Sequence, residues 1–228
     1  MKKVTRSRRR LLRSVALVLI ALGSLIALDV LMTVVWQEPV TAIIATIQQQ
    51  NIDRSLEKPA KLSEPQQWVV NHLPTAAQRV LYFANLDALQ VKDGQAIGKI
   101  SIPKIDVKFD IIQGTSTADL IKGPGHYPET RFPGQGSTIA IAGHRTTYLA
   151  PFRNINSLDT GDKITITMPY GVFTYTVQYQ RVVSPTDWSI INAQGYERLV
   201  LSACTPLFSA SHRLIVFAKL THITPTLP

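Results

Sequence analysis

The single cysteine of the chain, Cys204, stands at the end of an apolar run and directly before Thr205-Pro206. The run Leu199–Ala203 predicts a buried β-strand, so the thiol is expected where that strand passes into a loop. Loops held by a rigid scaffold commonly carry catalytic groups. A thiol there can act as a nucleophile if a nearby cation or general base favours the thiolate. The alternative is a buried, unreactive cysteine in a packed core.

A general base for this thiol would most naturally be a histidine, and His144 is the preferred candidate. It follows the apolar run Thr138–Ala142 and Gly143, so its imidazole is also expected at a strand end. His126, in a loop rich in glycine and proline, is the second candidate. The chain holds three further histidines: His72, His212 and His222.

Acyl transfer also needs a group that stabilises a developing oxyanion. Arg213 opens the last β-rich run, nine residues after Cys204. If the two strands are neighbours, their facing ends bring the guanidinium close to the thiol. The alternative is that Arg213 caps a strand or pairs with a surface carboxylate.

The elements that must position these residues are strands. Residues 96–222 predict one all-β domain, because short β-rich runs alternate with turn-forming clusters. Six or more such strands predict a closed barrel or a sandwich, and we favour the barrel because closure removes edges. Short helical turns are expected near 116–121 and 150–155. The β-rich runs are 97–111, 138–142, 163–168, 172–179, 199–204 and 213–220.

The N-terminal part predicts a membrane anchor. Residues 14–36 form a 23-residue apolar run with one charge, Asp29, long enough to cross a bilayer as a helix. The basic tail 1–13 predicts a cytoplasmic N-terminus, with Trp36 at the outer interface and the rest of the chain outside the cytoplasm. A cleaved signal peptide is the alternative, but the run is longer than the usual signal-peptide core.

The barrel is expected to be flanked by a partly helical linker and a short C-terminal tail. Residues 37–95 predict a linker with helices over 40–50 and 68–87, the second interrupted at Pro74. A role of residues 40–95 as an autoinhibitory lid stays open. Residues 223–228 are expected to form a C-terminal tail.

Charge and cysteine content exclude several function classes. The formal net charge is +9, but seven of the 24 basic residues lie in the first 13 positions. The rest of the chain is nearly balanced and has no basic stripe interleaved with aromatic residues, so no nucleic-acid partner is expected. One cysteine rules out an internal disulfide and a cysteine metal cluster, and no ordered carboxylate loop predicts calcium binding. We therefore expect no metal and no cofactor.

A longer motif surrounds the candidate residues. The segment GPGHYPETRFPGQGSTIAIAGHRTT at 123–147, followed by Cys204 and Arg213, resembles the sortases. The stretch AGHRTTY…PF at 142–152 is similar to that of class E-like housekeeping sortases of actinobacteria. The resemblance covers about residues 96–221 and implies the eight-stranded sortase β-barrel.

The resemblance also implies a reaction, a membrane-anchored cysteine transpeptidation. Cys204 would attack the Thr–Gly bond of a C-terminal LPxTG- or LAxTG-like sorting signal and form a thioacyl enzyme. His144 would serve as acid and base, and Arg213 would hold the substrate and the oxyanion. The implied partners are secreted proteins that carry sorting signals and an amine of a peptidoglycan precursor or cross-bridge.

One departure and several secondary candidates follow from the comparison of motifs. Ala203 replaces the threonine that usually precedes the sortase nucleophile. Ala203, His126, Tyr148 and Asp187 (beside Trp188) are further candidates for substrate contacts. The alternatives are another cell-wall cysteine enzyme, namely an L,D-transpeptidase or a peptidoglycan hydrolase, and an anchored β-domain without activity. The sequence Ser202-Ala203-Cys204-Thr205 lacks the His and Gly of the L,D-transpeptidase motif.

Overall fold

The computed structural model describes residues 6–35, 39–52, 54 and 62–226. Positions 1–5, Trp36, the rest of the linker between 53 and 61, and the last two residues lie outside the described residues. The expected interfacial position of Trp36 and the ends of the two expected tails therefore stay predictions.

In the part of the chain that the structure describes, four α-helices precede the barrel: α1 (Arg6–Val35), α2 (Pro39–Gln50), α3 (Glu64–His72) and α4 (Ala76–Gln90). Within α1, the stretch Arg8–Thr33 is long and apolar enough to cross a membrane, and it contains an 18-residue window with a mean hydropathy of 2.6. The expected break at Pro74 is confirmed, since α3 and α4 are separate helices. Thr75 begins α4 with a capping box, in which its side chain accepts from Gln78 N–H.

Eight strands close into a barrel in the order β1-β2-β3-β4-β7-β8-β6-β5, as predicted. The pairs β2–β3 and β4–β7 are parallel, and the other pairs are antiparallel. The strands are β1 (Ala96–Ile102), β2 (Val107–Gln113), β3 (Gly125–His126), β4 (Thr138–Ala142), β5 (Lys163–Met168), β6 (Gly171–Val183), β7 (Arg198–Thr205) and β8 (His212–Pro225).

Two local expectations differ from the structure. β8 extends to Pro225, three residues into the expected tail, because residues 223–225 pair with the start of β6. One helical turn, α5 (Thr117–Leu120), lies where expected. The second expected turn, at 150–155, lies later in the chain, as a short 3₁₀ turn at Ile155–Ser157. The reason is that Tyr148, Leu149 and Ala150 have left-handed φ angles of 52°, 65° and 42°. Left-handed residues cannot open a right-handed helix.

Residues alternate between the two faces of the barrel wall, as a period of two requires. In β7, Leu199, Leu201 and Ala203 belong to the main core. Val200 points to the other face and belongs to a smaller cluster with Phe217 of β8. The even-numbered positions of β7, which include Cys204, therefore face outward from the main core.

The helix α4 packs at the end of the barrel where β4 and β7 begin. Its residues Val80, Phe83 and Ala84 belong to the main core. Gln135, in the turn before β4, donates from its side-chain amide to Asn85 Oδ1 at 2.8 Å. The opposite end, where β4 and β7 finish, carries the candidate functional residues.

Candidate active site

Strand register brings the three predicted residues together. Ala142 of β4 pairs with Ser202 in the parallel strand β7, and His144 and Cys204 each follow two residues later. Gly143 N–H donates to Ser202 O at 3.0 Å, which continues the pairing beyond β4. Across the antiparallel pair β7–β8, Cys204 lies directly opposite Arg213. Neighbouring strands are about 4.8 Å apart, so the three residues meet at one edge.

His144, Cys204 and Arg213 border the same cavity, of about 290 Å³. Tyr127 and Trp188 also border this cavity, and their rings are packed edge to face with the ring centroids 6.3 Å apart. A second cavity of about 220 Å³ meets the first at His144 and Cys204 and is bordered on its far side by the β7–β8 loop, including Phe208. Two separate spaces therefore open on the pair of His144 and Cys204.

The imidazole of His144 lies in a poorly solvated position. Its Nε2 atom is buried and has no hydrogen-bond partner among the described residues. Burial lowers the pKa of His144 from its usual value, because the charged ring loses solvation. The lowered pKa favours the neutral ring at neutral pH.

Two contacts hold the loop that carries His144. A Cβ atom on Gly143 would clash with the ring of Phe152, so only glycine allows Phe152 to pack so closely. Phe152 N–H donates to His144 O at 2.9 Å and ties the two ends of the loop together. This explains in physical terms why the Gly-His and Pro-Phe elements of the motif occur together.

Arg213 is held by the loop that precedes it. Its Nη1 donates to the carbonyl oxygens of Ala210 and His212, at 3.0 and 3.1 Å. Among the residues that the structure describes, no carboxylate forms an ion pair with Arg213, so the alternative of a surface salt bridge is not observed. Both hydrogen-bond partners of Nη1 are neutral carbonyl groups, and the residue borders the cavity.

Tyr148 contacts His144 but does not border either cavity. Its ring centroid lies 5.2 Å from that of His144. Its backbone N–H donates to Thr41 Oγ1 of α2 at 3.0 Å. The helix α2 thus reaches the loop that carries His144, but no described residue of the 40–95 segment borders either cavity.

His126 lies apart from this site, in the barrel wall. Its side chain is 1% exposed and contacts Gln113 Oε1, Arg131 O and Thr130 Oγ1 at 2.9, 3.1 and 3.1 Å. Burial lowers its pKa to about 4. These contacts favour a structural role in the turn after β3, and His126 does not border either cavity.

The remaining two sequence candidates also have structural partners. Ala203 is 3% exposed and belongs to the main core, although it borders the larger cavity. Asp187 caps the 3₁₀ turn Trp188–Ile191, where its Oδ1 accepts from Ser189 N–H at 3.1 Å. Trp188, its neighbour, is the residue of this turn that borders the cavity.

Sequence reasoning missed one buried cation, Arg145. It follows His144 directly, is 7% exposed, and donates to Cys204 O. The sequence signal for its role was its position beside a candidate catalytic histidine. Because Arg145 lies in a turn, the alternation of a strand does not predict which way its side chain points.

Comparisons with known proteins agree with this geometry. The family model of the sortase domain matches residues 100–221. Sortase D of Bacillus subtilis (strain 168) is 36% identical over 139 residues, 59% of this chain and 69% of that protein. Sortase SrtE1 of Streptomyces coelicolor is 32% identical over 148 residues, 58% of this chain and 42% of that protein. A Clostridium perfringens sortase D5 transpeptidase structure superposes with a TM-score of 0.55 at 29% identity, over 64% of this chain and 99% of that one.

The barrel and the site at the ends of β4, β7 and β8 are those of a cysteine transpeptidase. The family match covers more than half of the chain, and the protein belongs to the sortase family. The predicted resemblance, including that to class E-type relatives, is confirmed.

Proposed function

We propose that the protein cleaves a C-terminal LPxTG- or LAxTG-like sorting signal between Thr and Gly and transfers the new carboxyl end to a cell-wall amine. The observation that carries the proposal is the meeting of His144, Cys204 and Arg213 at one cavity of about 290 Å³. A nucleophile, a proton carrier and a cation are the three groups that acyl transfer needs.

In the first half of the reaction, the Cys204 thiol loses its proton to the neutral imidazole of His144. The sulfur attacks the threonine carbonyl carbon, and the negative charge that develops on the carbonyl oxygen is stabilised by Arg213. Collapse breaks the C–N bond, and the imidazolium of His144 protonates the leaving amine of glycine. The acyl group is then held on Cys204 as a thioester.

In the second half, the acceptor amine attacks the thioester carbonyl, and His144 removes a proton from it. The C–S bond breaks, a peptide bond forms, and the sulfur leaves as a thiolate that regains the proton from His144. The second cavity, of about 220 Å³, gives the acceptor a route to Cys204 that the bound acyl chain does not occupy.

We further propose that α1 is a retained signal anchor with a cytoplasmic N-terminus and that residues 37–228 lie outside the membrane. The support is the apolar stretch Arg8–Thr33 of α1, preceded by the basic tail. The partners would then be secreted proteins with sorting signals and a peptidoglycan precursor or cross-bridge amine, both of which are found at that surface.

The alternatives from the sequence are weaker. An L,D-transpeptidase or another cell-wall hydrolase would not explain a sortase barrel with an arginine directly opposite the cysteine. A non-enzymatic domain is incompatible with membership of an enzyme family whose site residues meet at one cavity.

The test uses the full chain in detergent micelles, incubated with LAxTG and LPxTG peptides and a soluble amine. Mass spectrometry should detect cleavage after Thr and capture by the amine, and the preferred peptide defines the signal class. The matched controls are Cys204→Ala and Arg213→Ala, which should both lose the captured product. Hydrolysis without any amine capture, or cleavage that persists in Cys204→Ala, would overturn the proposal.

A further inference from the structure

Arg145 is a buried cation beside the thiol, and all of its hydrogen-bond donors are used. A guanidinium has five N–H donors in a rigid plane. Nη1 donates to Cys204 O and to Thr205 Oγ1, both at 3.3 Å. Nε and Nη2 donate to Arg153 O at 3.2 and 3.1 Å, and Nη2 also donates to Asn156 Oδ1 at 2.7 Å.

These contacts join three separate pieces of the site. Arg145 itself belongs to the loop of His144, its Nη1 holds the end of β7 at Cys204, and its other donors hold the turn at 153–156. A single rigid group therefore links the backbone of the proposed nucleophile to that of its acid–base partner. A small displacement of either would change the distance between Sγ and the imidazole, on which proton transfer depends.

The four acceptors of Arg145 are all neutral, and one of them, Arg153 O, accepts two of the five hydrogen bonds. Among the residues that the structure describes, no carboxylate pairs with Arg145, although only 7% of the residue is exposed. Burial lowers the pKa of Arg145, and the neighbouring Arg153 lowers it further. A buried cation usually has an anionic partner. Here hydrogen bonds to neutral acceptors hold the guanidinium in place instead.

We propose that Arg145 is a positioning residue of the transpeptidation. It fixes the end of β7, and with it Cys204, relative to the loop of His144. The inference rests on the proposed roles of Cys204 and His144. Arg213 has a different task, because it borders the larger cavity, whereas Arg145 borders only the smaller of the two and has all of its donors used by the protein.

Two substitutions remove these hydrogen bonds in different ways. Arg145→Met keeps most of the volume but removes the charge and all five donors. Arg145→Lys keeps the charge but has only three donors on one nitrogen, so it cannot reach all four acceptors at once. Lys108→Met, on an exposed position of β2, is the control for the loss of one positive charge.

The experiment measures three quantities for each full-length variant in micelles: the rate of Cys204 alkylation by iodoacetamide at pH 7, kcat and KM for the peptide, and the melting temperature. In Arg145→Met we expect alkylation to slow about tenfold, because the thiol is no longer held beside the imidazole that takes its proton. Arg145→Lys loses most of the same contacts, so it should also slow alkylation and lose about 10- to 100-fold in kcat. The KM for the peptide should stay within about twofold in both.

A purely structural role would lower the melting temperature but leave the alkylation rate and the kcat of the folded fraction unchanged, and this result would overturn the inference. So would an equal slowing of alkylation in Lys108→Met. The alkylation rate needs no substrate, so it tests Arg145 even if the wild-type protein fails to process either peptide. That failure would contradict the proposed function and not the effect of Arg145 on the thiol.

Discussion

Both ends of the barrel contain buried polar groups, but the groups differ in how fully they are hydrogen-bonded. At the end where β7 begins, Glu197 is 7% exposed and both carboxylate oxygens have donors: Tyr175 Oη at 2.7 Å and the N–H groups of Gly134 and Gly136 at 2.9 to 3.1 Å. In the part of the chain that the structure describes, Nε of Arg198 lacks a partner at this end, but Nη2 of the same side chain donates to the carbonyl oxygens of Ile190 and Asn192. At the end where β7 finishes, the buried Nε2 of His144 has no partner among the described residues.

This difference separates a structural network from a reactive site. A buried polar network whose members are satisfied adds stability and rigidity. A buried group without a partner is destabilising unless a ligand supplies the missing bond. The end with Glu197 is thus expected to maintain the fold, and the end with His144 to process the substrate. Substitutions at the two ends should separate activity from stability.

The largest effect should come from His144→Ala. Turnover of the sorting-signal peptide should fall about 10²- to 10⁴-fold, because proton transfer to the leaving amine is lost. The melting temperature should stay within a few degrees of wild type, since the imidazole Nε2 has no hydrogen-bond partner among the described residues to lose. Peptide kinetics and thermal unfolding measure the two effects. A large fall in melting temperature with normal activity of the folded fraction would reverse the roles assigned to the two ends.

Arg213→Lys should have the next largest effect on activity. Lysine keeps the charge but loses the planar fork, so we expect a decrease of about 10- to 100-fold in kcat/KM. Stability should hardly change, because the side chain bonds only two carbonyls of its own loop among the described residues. Steady-state kinetics with the same peptide provide the measurement, and unchanged kcat/KM would remove Arg213 from the proposed mechanism.

Glu197→Gln should lower stability and leave activity almost unchanged. The uncharged amide keeps one acceptor oxygen where the carboxylate has two, so we expect a loss of about 2 kcal/mol of unfolding free energy. Chemical denaturation measures this loss, with Glu129→Gln at an exposed position as the matched control. The kcat of the folded enzyme should remain within about twofold of wild type. A loss of activity without loss of stability would show that this end takes part in catalysis.

The smallest effect concerns Asp87 of α4, at the same end as Glu197. Burial raises its pKa from 3.8 to about 7. The folded state therefore favours the protonated acid, and the stability that Asp87 contributes below pH 3.8 is lost as the pH rises towards and through 7. Asp87→Asn imitates the protonated form. It should be roughly 1 kcal/mol more stable than wild type at pH 8 and equal to it near pH 4, as measured by denaturation at both pH values.

Much of this site could be predicted because strands are periodic. The end of an apolar run located Cys204 and His144, and antiparallel neighbours with a short loop placed Arg213 opposite the thiol. The burial of His126 could not be predicted, because its strand β3 has only two residues, too few to show an alternation of apolar and polar positions.

Other features depend on contacts far apart in the sequence. The bond from Tyr148 N–H to Thr41 Oγ1 joins residues 107 positions apart. The contacts of Arg145 with Cys204 and Thr205 span about 60 positions and start in a turn, where neither period nor propensity predicts a direction. Asp187 is a polar residue type that could contact a substrate, but it caps the 3₁₀ turn Trp188–Ile191. Which of these roles it has depends on the local backbone conformation.

The most direct test of the central claim is to trap the acyl group on the enzyme. The full chain is mixed with the LAxTG or LPxTG peptide without an amine, quenched in acid within seconds and digested with trypsin. The account predicts that the tryptic peptide 199–213, which contains Cys204, gains the mass of the substrate fragment that ends at Thr. A folded enzyme with a reactive thiol that forms no such adduct on either peptide, or forms it on another residue, would contradict the account.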